Sequence, residues 1–365
     1  AHVATLTGSP VILVVDISHA SRSIAAVVHG MASFDPAVHI AGVILNKAGS
    51  PRHAAEVTRA LAATGIEVLG VLHRDDGIVA PSRHLGLLPV AERPGAARAL
   101  ERLTAQIAER IDLPRIVEIA RTAPELATTA WDAQQTLVAA GWAETGAERP
   151  VVAVAGGRAF TFRYTETAEL LEQAGCEVVE FDPLSDTALP SGTRGLYLGG
   201  GFPEVHAGAL GANTGLLGEV RTAVAAGLPT VAECAGLLYL CRDLDGVPMV
   251  GALPASAHMT PRLTLAYRTA VTAGGSVLGP AGLAVTGHEF HRTTVTPAAG
   301  DPPAWRYDDR PDGFAGPALH AAYLHTHWAG HAHLAAAFAG AVHRAPAAVP
   351  ARGRAAPDAP VGRRP

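Results

Sequence analysis

The sequence predicts an α/β protein with two successive domains, each built around a parallel β-sheet. Short apolar runs with the length of buried strands alternate with helical patterns over residues 10–72 and again over residues 151–232. The polar stretch Ala143 to Pro150 separates the two alternations and is interpreted as a linker. Hydrophobic residues make up 48% and charged residues 17% of the 365-residue chain, enough apolar material for two cores. We therefore expect domains over residues 1–145 and 150–343.

The first domain is expected to begin with three strands joined by two helices. Strands are predicted over residues 10–16, 39–46 and 66–72, and helices over residues 21–33 and 51–64. An apolar face on the first helix supports this interpretation. That face consists of Ile24, Val27, Val28 and Met31. A helix-rich segment, residues 94–142, follows.

The second domain repeats the alternation and adds a β-rich region over residues 249–296. Its strands are predicted over residues 151–155, 177–181, 195–198 and 229–232, and its helices over residues 165–174, 213–226, 235–242 and 330–342. Residues 344–365 consist largely of Ala, Pro, Arg and Gly without periodicity, so we expect a disordered tail there.

Composition and charge narrow the classes of partner. A net charge of -5 and an aromatic content of 5% argue against a nucleic-acid-binding protein. No apolar run has the length of a membrane span, so we expect no membrane partner. The three cysteines lack metal-ligand spacing and cannot all pair, which predicts no metal site and favours a reducing cytoplasm. A homo-oligomer is compatible with the sequence, which leaves the oligomeric state open.

Cys234 is the most informative residue of the chain. It follows a predicted strand that ends at Ala232 and precedes a predicted helix, and Ala235 and Gly236 are small enough for a tight turn. A cysteine at such a strand-to-helix turn has the position of a nucleophile, and a helix N-terminus favours its thiolate. A small buried core cysteine is the alternative.

Two further features are typical of cysteine hydrolases. The strand Leu196 to Leu198 ends in Gly199, Gly200 and Gly201, whose amides can point at an oxyanion. An ordinary glycine turn is the alternative. His325 ends another apolar stretch and can serve as the base that a catalytic thiol needs. The chain has 17 histidines, so a surface or structural histidine is the alternative.

The order of glycine-rich strand end, cysteine turn and Tyr-x-His stretch resembles that of the class I glutamine amidotransferases. Other segments resemble the cobyrinic acid a,c-diamide synthase family, which also acts on hydrogenobyrinic acid. The most specific segments are Arg83 to Leu87 (RHLGL) and Gly287 to His291 (GHEFH). The resemblance covers about residues 1–340.

This resemblance implies a partial P-loop domain of the dethiobiotin-synthetase-like group, followed by a class I glutamine-amidotransferase-like α/β domain. It implies that glutamine supplies ammonia, and that ATP with Mg²⁺ activates the a- and c-side-chain carboxylates of a corrinoid acid as acyl phosphates. Ammonia then replaces phosphate to give the a,c-diamide.

The resemblance also implies the catalytic roles. Cys234 is the expected nucleophile, His325 its general base, and Gly200 and Gly201 are the expected oxyanion donors. Many class I amidotransferases have a glutamate two residues after the histidine, where this chain has His327. What orients His325 is therefore open. The candidates are His288, Glu289 and His327. A structural hydrogen bond is the alternative for the first two.

In the first domain, the resemblance points to an adenine contact at Asn46, whose amide can both donate and accept. A polar turn residue at the strand end is the alternative. Arg83 and His84 are candidates for contacts with corrin carboxylates. Asp16 and Arg22, at a strand end and a helix start, are candidates for an anion site. Solvated loop positions are the alternative for these four residues.

The chain departs from the family at its start. Family members open with a P-loop, but Lys47, the single lysine, follows a strand without a glycine-rich loop before it. We expect an N-terminally truncated chain that keeps glutaminase chemistry and does not bind ATP productively.

Other functions stay open. Cobyric acid synthases and nickel-sirohydrochlorin a,c-diamide synthases share the amidotransferase half, and the string Ser82 to Gly86 argues against the first only. A glutaminase-like subunit that docks a separate ATP-binding chain is a further alternative. The presence of both Cys234 and His325 argues against a purely structural role. Whether the macrocycle contains cobalt is left undecided.

Overall fold

The chain folds into two compact units. A computed structural model describes residues 1–78, 86, 92, 95–143, 146–307 and 310–348. The first unit comprises the described residues within Ala1–Ser82 and Glu92–Ala130, and the second those within Arg83–Ala91 and Trp131–Pro365. Three sequence predictions fall outside the described residues. They concern Arg83, His84 and residues 349–365 of the predicted tail.

The first unit contains a parallel sheet of three strands in the order β1-β2-β3. Its strands are β1 (Val11–Asp16), β2 (Ile40–Ala48) and β3 (Val68–His73). Its helices are α1 (His2–Thr7), α2 (Ile24–Phe34), α3 (Pro51–Leu61), α4 (Ala96–Arg110) and α5 (Leu113–Ala120). The predicted β-α-β-α-β order is confirmed, whereas α1 was not predicted.

The core of the first unit lies between this sheet and the helices α2 and α3. It includes Val43 and Leu45 of β2, which are fully buried. The predicted apolar face of α2 is only half correct. Ile24 and Val28 are buried, but Val27 and Met31 are 48% and 54% exposed. Residues four apart share one side of a helix, so the stripe that contacts the sheet is narrower than predicted. The stripe excludes the two flanking residues.

The second unit contains two sheets. Its helices are α6 (Ala133–Ala139), α7 (Thr165–Gln173), α8 (Ala207–Ala212), α9 (Thr214–Ala225), α10 (Ala235–Leu240) and α11 (Ala332–Arg344). Its strands are β4 (Val151–Ala155), β5 (Glu177–Phe181), β6 (Thr193–Leu198), β7 (Thr230–Glu233), β8 (Asp243–Leu244), β9 (Val247–Pro248), β10 (Ser256–Thr272), β11 (Ala284–Thr296), β12 (Trp305–Tyr307), β13 (Arg310–Asp312), β14 (Phe314–Gly316), β15 (Leu319–Ala322) and β16 (His325–Thr326).

The central sheet has the order β14-β15-β7-β6-β4-β5 and is parallel except for β14 at its edge. The second sheet runs β13-β12-β10-β11-β16, with β8 and β9 attached to β10. The long antiparallel pair β10 and β11 is the main part of the predicted β-rich region. The chain passes from the central sheet to the second sheet between β15 and β16.

Both faces of the central sheet are buried, which explains the uninterrupted apolar runs of its strands. Val152 and Val154 lie in one hydrophobic cluster, together with residues of α7 and α11. Ala153 and Ala155 lie in the other cluster, with residues of α9 and α10. This alternation is the period of two that an extended strand requires.

The compact units divide earlier than the predicted linker at residues 143–150. Helix α6 belongs to the second unit, because Leu137 is buried in the same cluster as Val152 and Leu170. The division therefore lies near residue 130. The local sequence pattern did not indicate that α6 packs against the second unit. None of the helices in the described ranges combines the length and the apolar character that a membrane crossing requires.

Candidate active site

The motifs that the sequence singled out meet at one edge of the central sheet. Strands β6, β7 and β15 are adjacent and parallel, so their carboxyl ends lie side by side. Strand β6 leads into Gly199, Gly200 and Gly201, β7 leads into Cys234, and β15 leads into the turn before His325. Parallel pairing therefore assembles three segments that are far apart in the chain.

Cys234 occupies a sharp turn between β7 and α10. Its φ of 50° and ψ of -96° are unusual for a residue with a side chain. Its amide donates to the Ala322 carbonyl at 2.9 Å, and the Gly236 amide donates to the Gly199 carbonyl at 3.0 Å. A Cβ on Gly236 would overlap the carbonyl oxygen of Leu198. Glycine is therefore required two residues after the cysteine, where the nucleophile-elbow interpretation expects a small residue.

The expected thiolate at Cys234 is not the state that this environment favours. The residue is 6% exposed, and burial raises the pKa of its thiol to about 12, with a further contribution from Glu204. A hydrogen bond from the Ala235 amide lowers the pKa but does not offset burial. The helix that follows has only six residues. The resting thiol is therefore neutral, because desolvation exceeds the effect of this helix terminus.

His325 is buried and neutral. As the first residue of β16 it pairs with His288 of β11, and the two rings stack with centroids 4.9 Å apart. The ring of Phe162 approaches edge-on at 5.0 Å. Burial lowers the pKa of His325 to about 3, and His288 and His291 add to this effect. A neutral imidazole is the form that can accept a proton from a thiol.

The two predicted oxyanion donors differ in their backbone contacts. The Gly200 amide donates to the Phe162 carbonyl at 2.9 Å, and the Gly200 carbonyl accepts from the Phe162 amide at 3.0 Å. This bridge occupies the amide that we expected to face an oxyanion. The Gly201 amide makes no such backbone bond within the described part of the chain. The Ala235 amide, which sequence reasoning missed, points at the Cys234 sulfur.

The structure does not bring two of the predicted orienting candidates to His325 as hydrogen-bond partners. Glu289 accepts from Arg268 at 2.6 Å and from Tyr307 at 2.8 Å. The Nε2 atom of His327 lies 3.6 Å from a carboxylate oxygen of Glu166. The third candidate, His288, contacts the ring face of His325 and not its nitrogens.

A carboxylate that sequence reasoning missed lies beside the imidazole. Glu233, the last residue of β7, has its Oε2 atom 3.9 Å from Nδ1 of His325. Burial raises the pKa of Glu233 to about 7, although hydrogen bonds from Thr326 and Tyr197 lower it. A signal was present in the sequence, because a glutamate at the end of an apolar strand is a costly residue to bury.

A cavity of about 330 Å³ opens next to the imidazole. Its wall includes Tyr164, His288, His325 and His327. A space of this size is at the lower end of the range for small-molecule sites. Among the described residues, His325 lines this cavity and Cys234 does not, so the cavity adjoins the imidazole and not the thiol.

In the first unit, Asn46 lines a cavity of about 540 Å³. The cavity wall also includes Lys47, His73 and Gln106. The Asn46 side-chain oxygen accepts from the Lys47 amide at 2.9 Å, which uses one of its two acceptor positions. The side-chain NH2 group can still donate to a ligand. Asn46 lies two residues before the end of β2, and its contact with a ligand in this cavity stays a prediction.

The candidate anion site at Asp16 and Arg22 has an ionised carboxylate at its centre. Asp16 accepts from Lys47 at 2.6 Å and from the Ser18 amide at 2.9 Å. These two contacts hold the pKa of Asp16 well below its usual range. A negative charge at this strand end opposes an anion, and Lys47 offsets that charge. Arg22 lies in the turn that leads into α2.

Two family descriptions match the chain. Residues 151–333 match the CobB/CobQ-like glutamine amidotransferase domain. Residues 3–88 match the CobQ/CobB/MinD/ParA nucleotide binding domain. The matches agree with the order of the two predicted domains.

Curated proteins are similar over almost the whole chain. The hydrogenobyrinate a,c-diamide synthase of Thermobifida fusca is 57% identical over 352 residues, which cover 94% of this chain and 74% of the relative. The hydrogenobyrinate a,c-diamide synthase of Streptomyces coelicolor is 50% identical, covering 90% of this chain and 74% of the relative. The cobyrinate a,c-diamide synthase of a Synechococcus strain is 39% identical, covering 90% and 73%.

Proposed function

Because the chain belongs to the family of hydrogenobyrinate and cobyrinate a,c-diamide synthases, we propose that it releases ammonia from glutamine at Cys234 for amidation of a corrinoid acid. ATP activates the a- and c-carboxylates that receive the ammonia. The observation that supports this most directly is the meeting of Gly201, Cys234 and His325 at the carboxyl ends of adjacent strands.

In this proposal the Cys234 sulfur attacks the side-chain amide carbon of glutamine while the thiol proton passes to His325. The C–N bond then breaks to leave a thioester, and the imidazolium gives its proton to the departing ammonia. Water attacks the thioester and His325 takes the water proton. The C–S bond then breaks to release glutamate, and the imidazolium returns its proton to the Cys234 sulfur. Because burial keeps both the thiol and the imidazole neutral before the reaction, proton transfer accompanies the attack.

The amides of Gly201 and Ala235 are the proposed donors to the tetrahedral oxyanion. The sequence favoured Gly200 with Gly201, but the Gly200 amide is bonded to Phe162. Ala235 follows the nucleophile directly, where an elbow commonly supplies one of its two donors. Removing one such donor typically costs about 100- to 1000-fold in kcat.

The sequence alone predicted that the chain does not bind ATP productively, but the match of residues 3–88 to a nucleotide binding domain favours binding. The first unit is therefore proposed to bind ATP, with the adenine in the cavity beside Asn46. The family resemblance also implies Mg²⁺. Within the described ranges, however, no group of three His, Cys, Asp or Glu side chains could hold a metal ion. Asp16 is engaged by Lys47, and Asp75 is engaged by Arg102. The described residues therefore do not fit a resident metal, and no step of the proposal depends on one.

The proposed corrinoid substrate is hydrogenobyrinate, the macrocycle without cobalt. Relatives named for hydrogenobyrinate are 57% and 50% identical, whereas one named for cobyrinate is 39% identical. A comparison of the two acids at equal concentration, with diamide formation followed by mass spectrometry, tests this choice. A higher kcat/KM for cobyrinate would reverse it.

The test of the glutaminase step is glutamate release from glutamine by the chain and by its Cys234→Ala variant, with and without ATP and hydrogenobyrinate. We expect release by the native chain and none by the variant, because the variant lacks the attacking sulfur. Release that persists in Cys234→Ala would overturn the proposal. Stimulation by ATP and hydrogenobyrinate would further support a coupled amidation, and indifference to them would limit the activity to glutamine hydrolysis.

A further inference from the structure

Glu233 is a buried carboxylate that the chemistry above does not use. It is 5% exposed and directly precedes the nucleophile Cys234. Val231 of the same strand lies in the cluster that contains Tyr197, and Glu233, two residues further along β7, points to the same face. The nucleophile and the acid are thus consecutive residues, with Glu233 ending β7 and Cys234 beginning the turn that follows it. A carboxylate is rarely buried without a partner or a function.

Three hydrogen bonds fix the position of this carboxylate. The Tyr197 hydroxyl donates to Oε2 at 3.0 Å. The hydroxyl and the amide of Thr326 donate to Oε1 at 2.8 and 3.3 Å. The Trp328 indole donates to the Thr326 hydroxyl at 3.1 Å, which directs the proton of that hydroxyl at Glu233. Because Thr326 follows His325 in the chain, the carboxylate is held in register with the imidazole.

The imidazole has an unsatisfied atom at the matching position. Nδ1 of His325 is buried and lacks a hydrogen-bond partner within the described residues, and it lies 3.9 Å from Oε2 of Glu233. An ionised carboxylate oxygen accepts more than one hydrogen bond, so the bond from Tyr197 does not saturate Oε2. An approach of about 1 Å would bring the two atoms into hydrogen-bond range.

We propose that Glu233 is the positioning residue for His325, with its Oε2 atom accepting the Nδ1 proton so that Nε2 remains the base for the Cys234 thiol. This inference rests on the proposed function. When the thiol proton reaches Nε2, the imidazolium forms beside a carboxylate, and the Nδ1–H bond to Oε2 becomes charge-assisted. Glu233 gains no proton during the cycle, because the imidazolium passes its proton from Nε2 to ammonia.

The role requires an ionised Glu233, which gives it a pH signature. Burial raises the pKa of this carboxyl to about 7, so it is protonated in mildly acidic solution. The titratable groups that face it are Tyr164, Tyr197, Cys234 and His325. Burial keeps the first three protonated and the imidazole neutral near pH 7. On the acid side, the pH profile of kcat/KM should therefore follow the ionisation of the Glu233 carboxyl.

The test is steady-state glutamine hydrolysis by the full chain and its Glu233→Gln variant over a range of pH. The amide has nearly the same shape but presents an N–H donor and favours the wrong imidazole tautomer. We expect kcat to fall by about 100-fold or more and KM to change by less than about threefold. The acid limb of the kcat/KM profile should disappear.

A matched control is Glu172→Gln. Glu172 is exposed on α7 and does not line the cavity beside His325, so this variant should keep the kcat and the pH profile of the native chain. A Glu233→Gln variant that also keeps both would overturn the proposal. Cys234→Ala is measured alongside, since hydrolysis that survives in that variant refutes the glutaminase function itself and not only the role of Glu233.

If circular dichroism shows that Glu233→Gln does not fold, Glu233→Asp provides a second test of the inference. Aspartate retains the charge but withdraws it by one methylene from Nδ1 of His325. A reduced kcat with an unchanged KM supports the positioning role, and a kcat equal to that of the native chain overturns it.

Discussion

The imidazole of His325 lies in the space that Gly200 leaves by having no side chain. A Cβ at position 200 would lie 2.5 Å from Cε1 of the histidine. The backbone of Gly200 cannot retreat without breaking its two hydrogen bonds to Phe162. Close approach of the histidine, and not turn geometry, is therefore the reason for glycine at this position.

Replacing Gly200 with alanine should displace the imidazole. We expect kcat for glutamine hydrolysis to fall by about 100-fold, because small misplacements of a catalytic group are costly. The free energy of unfolding should fall by about 1–3 kcal/mol from overpacking. Kinetics and urea unfolding measure the two effects. The control is Gly218→Ala in α9, where a Cβ meets nothing within 4 Å. Native activity in Gly200→Ala would contradict the predicted displacement.

The cysteines of the native chain should react slowly with iodoacetamide. All three are buried, and burial raises the pKa of each thiol to about 12. An unfolded cysteine has a pKa of about 8.5, so unfolding should accelerate alkylation at neutral pH by about 1000-fold. Peptide mapping by mass spectrometry identifies the labelled residue. Rapid labelling of Cys234 alone in the native chain would show that the helix terminus outweighs burial after all.

His320 should make the second unit sensitive to acid. Its ring is 2% exposed, contacts Ser276 at 3.1 Å and packs against Trp305, and burial lowers its pKa from 6.5 to about 3. Between these values the unfolded chain binds a proton that the folded chain does not. The histidine therefore reduces stability as the pH falls from 6.5 towards 3, by up to about 1.4 kcal/mol per pH unit.

The variant His320→Phe should remove this contribution. Urea unfolding at several pH values should show a smaller loss of stability in acid than the native chain shows. Ser276→Ala is the control, since it removes the hydrogen-bond partner and keeps the titrating ring. Glu233 and Asp312, whose pKa values burial raises, act in the opposite direction in both chains, so the difference isolates His320. Equal pH slopes would contradict the assignment.

Arg268→Ala should destabilise the second unit and spare the chemistry of hydrolysis. Burial tends to raise the pKa of Glu289, but bonds from His291, Arg268 and Tyr307 hold it at about 2. Removing the arginine leaves a carboxylate that is 2% exposed with Arg310, 3.5 Å from its Oε1 atom, as the remaining arginine. We expect a loss of about 2 kcal/mol in unfolding free energy, as for a hydrogen bond to a charged group. A large fall in kcat without a loss of stability would instead restore Glu289 as a residue that acts on His325.

Local patterns were sufficient to predict most of the fold and to single out Cys234 and His325 as candidates, whose catalytic roles stay predictions. The β-α-β-α-β order of the first unit followed from apolar periodicity, and Cys234 was recognisable because its turn is encoded by consecutive residues. Glu233 was not recognised, because its relation to His325 depends on how β7 of one sheet aligns with β16 of the other. The engagement of the Gly200 amide depends likewise on Phe162, which lies in a distant segment.

The crossing of the chain from β15 to β16 divides the candidate site between two sheets. The proposed nucleophile, Cys234, extends from the central sheet and the proposed base, His325, from the second sheet, and Glu233 is hydrogen-bonded to residues of both. The distance between the Cys234 sulfur and the His325 imidazole therefore depends on how the two sheets pack against each other. We expect a substitution that alters this packing to change the rate of glutamine hydrolysis, even when it contacts neither Cys234 nor His325.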